Sequence, residues 1–355
     1  MATKSFDKAK RNKADEFYTQ WSDIEKEIQA YLEFNPNVFK DKTVLCPCDD
    51  PYESNFFKYF ALHFNDLGLK KLIATCYIGS PIASMQLTLF SAEPEDDKTT
   101  RTPHKIEITE VADYNADGAV DLSDVKWLLA NKKNALTRLV GDGDFRSEEI
   151  KALRDKADFV ITNPPFSLFR EYVAQLMDYK KEFLIIGNQN AVTYREIFPL
   201  IRDNRIWLGY NCGHFWFMVP DSYEEKQTDF KIDENGQKWR RMGNICWFTN
   251  LDIEKRHENM TLFRKFSPDI YPKYDNYNAV EVSKTADIPC DYYGIMGVPI
   301  TFMQYYNPEQ FRIVGVTANG LVPDELKVKG FKIYNNPIIK GEPKYQRVII
   351  ERIGA

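Results

Sequence analysis

Asn163, Pro164, Pro165 and Phe166 directly follow the apolar run DFVIT, and their types and spacing suit chemistry on an amine. An exocyclic amine of a nucleobase is a poor nucleophile because its lone pair is conjugated into the ring. The asparagine side-chain oxygen and the Pro164 carbonyl, held beside such an amine, would stabilise the charge that develops on nitrogen. The prolines would hold both acceptors rigidly, and the Phe166 ring would stack on a flat base. The alternative is a turn that ends a strand, since prolines donate no ladder hydrogen bond.

The apolar runs around this motif predict an α/β protein. Strand-like runs, KTVLC and KKLIATCY, flank a helical segment for which Ser54 is the predicted N-cap and Gly68 the stop. Ser147 is the predicted N-cap of a later helical segment, SEEIKALRDK. Strand and helix patterns continue to alternate through IWLGY, which predicts a parallel sheet of about seven strands. Ligands of such sheets bind at the carboxyl ends of the strands. We therefore expect CDDP, GDGDF and NPPF to converge on one cleft.

Composition narrows the class of protein. The chain has 355 residues, of which 43% are hydrophobic and 28% charged, as in ordinary globular proteins and unlike fibrous or disordered ones. The chain has no run of about 18 apolar residues, so no membrane span is predicted. The polar, basic N-terminus does not resemble a secretory signal. We therefore expect a cytoplasmic protein. Six cysteines are too few for a disulfide scaffold, and free thiols are expected.

The charges are unevenly distributed along the chain. The net charge is −5, but ten acidic residues stand against three basic ones between Ser91 and Asp124. Basic residues cluster at the N-terminus, in KWRR (238–241) and at Lys255-Arg256. Such clusters favour a phosphate-binding face, because local charge decides that contact. Solvated surface lysines and arginines are the alternative.

From about Asn211 the pattern changes to aromatic-rich short strands and loops. We divide the chain into a flexible basic arm (1–14), a main domain (15–210) with an acidic insertion (91–130), and a mixed region (211–355) of which about 244–251 returns to the sheet. Basic residues, amides and aromatics interleave in the mixed region, as in surfaces that read base edges and phosphates. Burial of Trp216, Trp239 and Trp247 in a core is the alternative. The expected DNA contacts are Lys10, Arg11, Arg195, Lys238, Arg240 and Arg241.

The acidic insertion contains the spacing of an EF-hand calcium loop. Oxygen-bearing side chains occupy loop positions 1, 3, 5, 9 and 12, with glycine at position 6. The expected ligands are Asp113, Asn115, Asp117, Asp121 and Asp124. The pattern predicts either a structural calcium ion or a hydrogen-bonded turn.

NPPF resembles the catalytic motif of amino-methyltransferases that use S-adenosylmethionine, and it is closer to their adenine-N6 branch. The blocks KADEFYTQ, CDDPYESNFFKYFA, GDGDFRSEE, ITNPPFSLFREY, FLIIGNQNAVTYREIF, PKYDNYNAVEV and MGVPITF resemble, in this order, the EcoRI-type adenine DNA methyltransferases. The resemblance runs through nearly the whole chain. It implies a Rossmann-like S-adenosylmethionine-dependent methyltransferase sheet with an appended target-recognition region.

The resemblance also implies a role for each motif. Asn163, Pro164, Pro165 and Phe166 would be catalytic and would act on an adenine flipped out of duplex DNA. Tyr18 and Thr19 would lie near the methionine moiety of the cofactor, and Asp49 or Asp50 would face its ammonium. Asp144 would accept a hydrogen bond from the cofactor's adenine, and Phe145 would pack on that ring. The expected cofactor-binding residues are Tyr18, Thr19, Cys48, Asp49, Asp50, Pro51, Asp144 and Phe145.

The partners follow from the same resemblance. We expect double-stranded DNA as substrate, a monomer, and a cognate restriction endonuclease that acts on the same site without a stable complex. One alternative is methylation of RNA or of a protein glutamine amide. A second alternative is a calcium-regulated DNA-binding module that has lost catalysis.

Overall fold

A computed structural model describes residues 19–48, 54–75, 103–131, 136–219, 223–331 and 335–354. Within these ranges the chain is a mixed α/β protein with two compact units. The first comprises residues up to Gly187 and Gly213–Trp247, and the second comprises Asn188–Cys212 and the residues from Phe248 onward. None of the helices in these ranges is long and apolar enough to cross a membrane.

A nine-stranded sheet is the largest element of the fold. Its strands are β1 (Thr43–Cys46), β2 (Lys71–Thr75), β3 (His104–Ile108), β4 (Leu136–Arg138), β5 (Phe159–Thr162), β6 (Glu182–Asn188), β7 (Trp207–Met218), β8 (Phe230–Ile232) and β9 (Lys238–Thr249). They lie in the order β4-β3-β2-β1-β5-β6-β9-β7, and β8 pairs with β9.

Strand direction divides this sheet into a parallel centre and an antiparallel edge. β1 is parallel to β2 and β5, and β5 is parallel to β6. In contrast, β3 is antiparallel to both β2 and β4, so the parallel pairing that the alternation of strands and helices predicts holds for the central strands and not for this edge. Every residue of β1 and β5 is buried, as central parallel strands require, whereas burial alternates in the last residues of β3. The apolar pattern of a strand shows that the strand is buried, but it does not show whether the strand runs parallel or antiparallel to its neighbours.

Local capping signals correctly locate two helices of the first unit. The Ser54 hydroxyl accepts from the backbone N–H groups of Phe56 and Phe57, and the Ser147 hydroxyl accepts from that of Ile150. Both predicted N-caps are confirmed. The helices of this unit are α1 (Trp21–Phe34), α2 (Asn55–Leu62), α3 (Leu122–Asn131), α4 (Glu148–Lys156) and α5 (Phe169–Asp178).

Phe39 forms the centre of an aromatic cluster in the first unit. Its ring lies 5.6 Å from that of Phe60 on α2 and 5.3 Å from that of Phe159 on β5. The Thr43 backbone N–H donates to the Asp158 carboxylate at 2.8 Å, which links the starts of β1 and β5. These contacts fix the two strands whose ends carry the candidate motifs.

The second unit contains smaller sheets and short helices. Its four-stranded sheet has the order β10-β11-β15-β12, formed by β10 (Val280–Glu281), β11 (Met296–Pro299), β12 (Phe311–Val316) and β15 (Arg347–Arg352). β13 (Ile338–Ile339) and β14 (Glu342–Pro343) form a two-stranded sheet, and α6 spans Phe198–Arg202. Tyr274, Tyr277 and Ile349 are buried together in its core.

A buried ion pair lies in this second unit. Arg347 Nη2 is 2.7 Å from Glu281 Oε1, and the two side chains are only 11% and 5% exposed. The Tyr274 hydroxyl donates to the other oxygen of Glu281. Burial, reinforced by the Glu281 carboxylate, raises the pKa of Tyr274 well above its ordinary value, so the hydroxyl keeps its proton. The carboxylate is thus bound on both oxygens.

The predicted boundary at 210/211 falls within β7, and this strand continues through it to Met218. β9 includes residues 244–249 of the segment for which a return to the sheet is expected. The assignment of target recognition to residues 211–355 stays a prediction. The basic arm (1–14) lies outside the described residues.

The cysteines of the described ranges are free thiols. Cys46 and Cys246 are buried, and Cys48, Cys212 and Cys290 are partly exposed. The expectation of free thiols is therefore confirmed for these five, and Cys76 lies outside the described residues.

Candidate active site

The strand order reverses beside β1. After β1 the chain forms β2 on one side, and it later returns to pair β5 on the other side. Such a reversal leaves a crevice at the carboxyl ends of the two strands, where α/β sheets bind ligands. Cys48 follows β1 and Asn163 follows β5, in a parallel register that pairs Leu45 with Val160. The sheet therefore brings Cys48 and Asn163 to the same edge.

Asn163 contacts a residue that is distant in sequence. Its Nδ2 atom donates to Thr19 Oγ1 at 3.4 Å, and Thr19 is only 3% exposed. The Thr19 carbonyl accepts from Asn55 Nδ2 at 2.8 Å. The N-terminal segment assigned to the cofactor thus reaches the predicted catalytic asparagine. Asn55 is a site residue that the sequence analysis missed, because no local pattern distinguishes it from other first-turn helix residues.

The two prolines lead into a short 3-10 helix at Phe166–Leu168, and α5 follows without a break. The Pro165 carbonyl accepts from the Leu168 backbone N–H at 2.9 Å. Pro164 is buried and the Phe166 side chain is half-buried. The motif is therefore a rigid connection between a buried strand and a helix, and it leaves part of an aromatic ring accessible.

Asp144 is held by its neighbour Arg146. The carboxylate accepts from Arg146 Nε at 2.8 Å and from Nη2 at 2.5 Å, as well as from the Arg146 backbone N–H at 2.8 Å. Hydrogen bonding from Arg146 lowers the pKa of Asp144, so the group is ionised. Phe145 is buried, and its ring packs edge-on against Tyr172 at 4.9 Å. A ligand contact by Asp144 would have to share the carboxylate with Arg146.

Cys48 is the one residue of the CDDP motif within the described ranges. Cys48 is half-buried, and the carbonyl of Pro47 before it accepts from the hydroxyl of Thr75 at the end of β2, at 3.0 Å. This contact joins the ends of β1 and β2. Outside the described residues are Lys10, Arg11, Tyr18, Asp49, Asp50 and Pro51.

The predicted DNA-binding cations of β9 contact the segment at 223–229. Lys238 Nζ donates to the Tyr223 carbonyl at 3.3 Å and lies 3.7 Å from Glu225. Arg240 Nη1 donates to two carbonyls of the same segment, at 2.5 and 2.9 Å, and Arg241 lies 3.6 Å from Asp229. Binding to phosphates would therefore compete with these internal contacts.

Two tryptophans beside these cations are not core residues. Trp216 and Trp239 are half-buried, whereas Trp247 is fully buried. The Lys231 ammonium lies 4.7 Å from the Trp216 ring centre and 5.7 Å from that of Trp239. Of the three tryptophans, Trp247 alone has the core position that was the alternative to a binding surface. In the second unit, Arg195 is exposed and donates to the Asn319 carbonyl at 3.4 Å.

The structure does not support the calcium site. Within the described residues, no three ligating side chains are grouped as a metal site would require. The loop carboxylates instead accept backbone hydrogen bonds. Asp113 accepts from Asp117 and Gly118, and Asp124 accepts from Tyr114 at 2.6 Å, Asn115 at 3.2 Å and Asp121 at 2.9 Å. The hydrogen-bonded turn is the alternative that the geometry favours.

Replacing Asp124 by alanine should lower the thermal unfolding midpoint, because three backbone N–H groups lose their acceptor. The hydrogen bond from the Asp121 backbone is the main cause that lowers the pKa of Asp124. The stabilisation is therefore present above the ordinary aspartate pKa and is lost as pH falls through the folded value. Thermal melts at neutral and acidic pH should show a wild-type advantage that shrinks in acid. Asp66→Ala, at an exposed site, serves as the control, and an Asp124→Ala melt matching it would contradict the role.

Gly187 of β6 is a further residue that the sequence analysis missed. A Cβ atom at this position would lie 2.5 and 2.7 Å from ring atoms of Phe169, which is buried at the start of α5. Glycine is therefore required for α5 to pack on β6 directly after the NPPF turn. The signal in the sequence was a glycine within an apolar strand-like run, which often marks a close approach of another group to the backbone.

Gly187→Ala should destabilise the protein by about 1–3 kcal/mol, the usual cost of overpacking a core. Denaturant unfolding measures this loss. Gly141→Ala is the matched control, since a Cβ atom there would meet nothing within 4 Å. Replacing the Phe169 ring by a smaller side chain, in Phe169→Leu, should restore part of the stability that Gly187→Ala loses. Equal stability of Gly187→Ala and Gly141→Ala would contradict the packing argument.

The sheet reversal and the polar turns beside it define an α/β protein whose candidate ligand site lies at the carboxyl edge of its central strands. The model of a family described as adenine-specific methyltransferase EcoRI matches residues 5–353. The chain belongs to this EcoRI-type adenine-specific methyltransferase family, as its motifs predict.

Curated relatives agree with this membership. The chain is 45% identical over 339 residues to the type II methyltransferase M.EcoRI of Escherichia coli, covering 94% of this chain and 95% of that protein. It is 34% identical over 358 residues to the type II methyltransferase M.MpnI of Mycoplasma pneumoniae, covering 98% of both chains. No solved structure matches the chain.

Proposed function

We propose that the protein is a site-specific DNA methyltransferase that transfers a methyl group from S-adenosylmethionine to N6 of an adenine in duplex DNA. The observation that carries the proposal is the placement of Asn163 at the strand reversal, in a chain of the EcoRI-type family. The half-buried Phe166 beside it offers a face on which a base can stack.

The fold that we propose is the Rossmann-like sheet of S-adenosylmethionine-dependent methyltransferases. The reversal at β1 and β5 supports it, because nucleotide cofactors bind at such points. The residues present fit the adenine end of this cofactor, since Asp144 is kept ionised at 18% side-chain exposure and can accept from an amine. Cys48 and Asp144 would hold it, together with residues that follow β1. When bound, this cofactor supplies an electrophilic methyl group.

The catalytic contribution of the chain is to hold the target amine. Asn163 Oδ1 and the Pro164 carbonyl would accept its hydrogens and so direct its lone pair toward the methyl group. The proton that is lost after transfer leaves from a positively charged nitrogen, so the site needs no strongly basic residue. Water is excluded by the base itself, stacked on Phe166.

Duplex DNA is the substrate that we propose. Extruding an adenine costs a few kcal/mol, which stacking and phosphate contacts offset. The aromatic and basic surface formed by Trp216, Lys231 and Trp239 is suited to the DNA backbone or bases. Arg195, Lys238, Arg240 and Arg241 would contribute once their internal partners yield to phosphates. The protein would act as a cytoplasmic monomer and modify the site that a cognate restriction endonuclease cleaves.

Incubation with methyl-labelled S-adenosylmethionine tests this proposal. We expect label in duplex DNA as N6-methyladenine, at one sequence context, and none in RNA or protein. Sequencing of methylated bases in DNA from cells that express the chain would give the context. Label in RNA or in a glutamine amide alone would replace DNA as the substrate, and cofactor binding without transfer to any acceptor would refute the enzymatic function.

A further inference from the structure

Thr19 is fixed from two sides in the first unit. It precedes α1 by two residues, and Trp21 at the start of that helix packs on Tyr59 of α2 with ring centres 5.3 Å apart. The Asn55 side chain, at the start of α2, donates to the Thr19 carbonyl at 2.8 Å. The hydroxyl of Thr19 is therefore held in place by two packed helices.

This buried hydroxyl faces the nitrogen of the Asn163 amide. Asn163 Nδ2 donates to Thr19 Oγ1 at 3.4 Å, a long hydrogen bond of the kind that often tightens when substrate binds. The two terminal atoms of a planar amide lie on opposite sides. A partner on Nδ2 therefore turns Oδ1 away from Thr19. Because a hydroxyl can also donate, this contact fixes the position of the side chain and does not by itself choose between the two amide orientations.

We propose that Thr19 is a positioning residue for methyl transfer: its fixed hydroxyl holds the Asn163 side chain at the end of β5, where the amide acts on the target amine. The inference rests on the proposed function. It differs from the role that the family resemblance implies for Thr19, which is contact with the methionine moiety of the cofactor. The two roles predict different effects on cofactor affinity.

The test uses the full-length protein and the variants Thr19→Val and Thr19→Ser. Valine keeps the shape of threonine and removes the hydroxyl, whereas serine keeps the hydroxyl. Loss of one neutral hydrogen bond should lower the single-turnover methylation rate on duplex DNA roughly three- to tenfold in Thr19→Val. Thr19→Ser should stay within about twofold of wild type. The dissociation constant for S-adenosylmethionine, measured by calorimetry, should be unchanged in both.

Thr19→Ser separates the hydroxyl from packing, because it removes the methyl group and keeps the hydroxyl. An equal loss of rate in Thr19→Ser and Thr19→Val would overturn the inference.

The remaining outcomes also decide the question. Wild-type rates in Thr19→Val would overturn the positioning role. A rate loss matched by weaker cofactor binding would assign Thr19 to the cofactor instead. If the wild-type protein itself transfers no methyl group to DNA, the proposed function fails together with the inference. A normal wild-type rate with an unaffected Thr19→Val variant overturns only the inference.

Discussion

Replacing Asn163 by alanine should reduce the rate of methyl transfer by about 10²–10³-fold, the usual cost of removing one preorganised group that stabilises developing charge. The side chain lies at the carboxyl end of β5, and its loss removes an acceptor for the target amine. The cofactor would be bound mainly by other residues. We therefore expect the dissociation constant for S-adenosylmethionine to change little. Single-turnover kinetics and calorimetry measure the two effects separately.

A matched control is Asn131→Ala, at an exposed position at the end of α3, where the side chain only caps the Trp127 carbonyl. That variant should methylate DNA at the wild-type rate. Full activity of Asn163→Ala would remove the catalytic assignment. A parallel collapse of cofactor binding would move Asn163 from catalysis to cofactor recognition.

Replacing Arg347 by methionine should have the largest effect on stability, about 3–5 kcal/mol in the free energy of unfolding. The variant leaves the Glu281 carboxylate buried without its cation, and Glu281 is only 5% exposed. The cost comes mainly from that uncompensated charge. Denaturant unfolding, followed by fluorescence, gives the free energy.

Arg312 provides the control, because it forms an exposed ion pair with Glu351 on neighbouring strands of the same sheet. Arg312→Met should cost no more than about 1 kcal/mol, as exposed pairs do. Adding Glu281→Gln to Arg347→Met removes the buried charge and should recover most of the loss. Equal costs for the two arginine variants, or no recovery in the double variant, would contradict the electrostatic explanation.

The sequence predicted best what depends on neighbouring residues. Ser54 and Ser147 are N-caps because a hydroxyl reaches N–H groups two and three residues ahead, and this spacing is visible in the chain. The placement of NPPF after a buried strand was equally local. Free thiols at Cys46 and Cys246 followed from the small number of cysteines in the chain.

What the sequence could not supply depends on distant contacts. The directions of β3 and β4 depend on pairing partners, and apolar alternation is the same in either direction. The link between Thr19 and Asn163 joins residues 144 positions apart. The acidic loop at 113–124 left two alternatives open for a different reason. The same aspartates that can bind calcium can also accept backbone hydrogen bonds, and only geometry distinguishes the two uses.

The long interval between β1 and β5 has a consequence for biosynthesis. The Thr43 backbone and the Asp158 carboxylate that join these strands are 115 positions apart. At a synthesis rate of about 5–20 residues per second, β1 leaves the ribosome roughly 6–23 seconds before its partner. Such distant strand pairing is also intrinsically slow. During this interval the edge of β1 that pairs with β5 stays unpaired in the nascent chain. Chaperones would be most useful to the N-terminal half during this time.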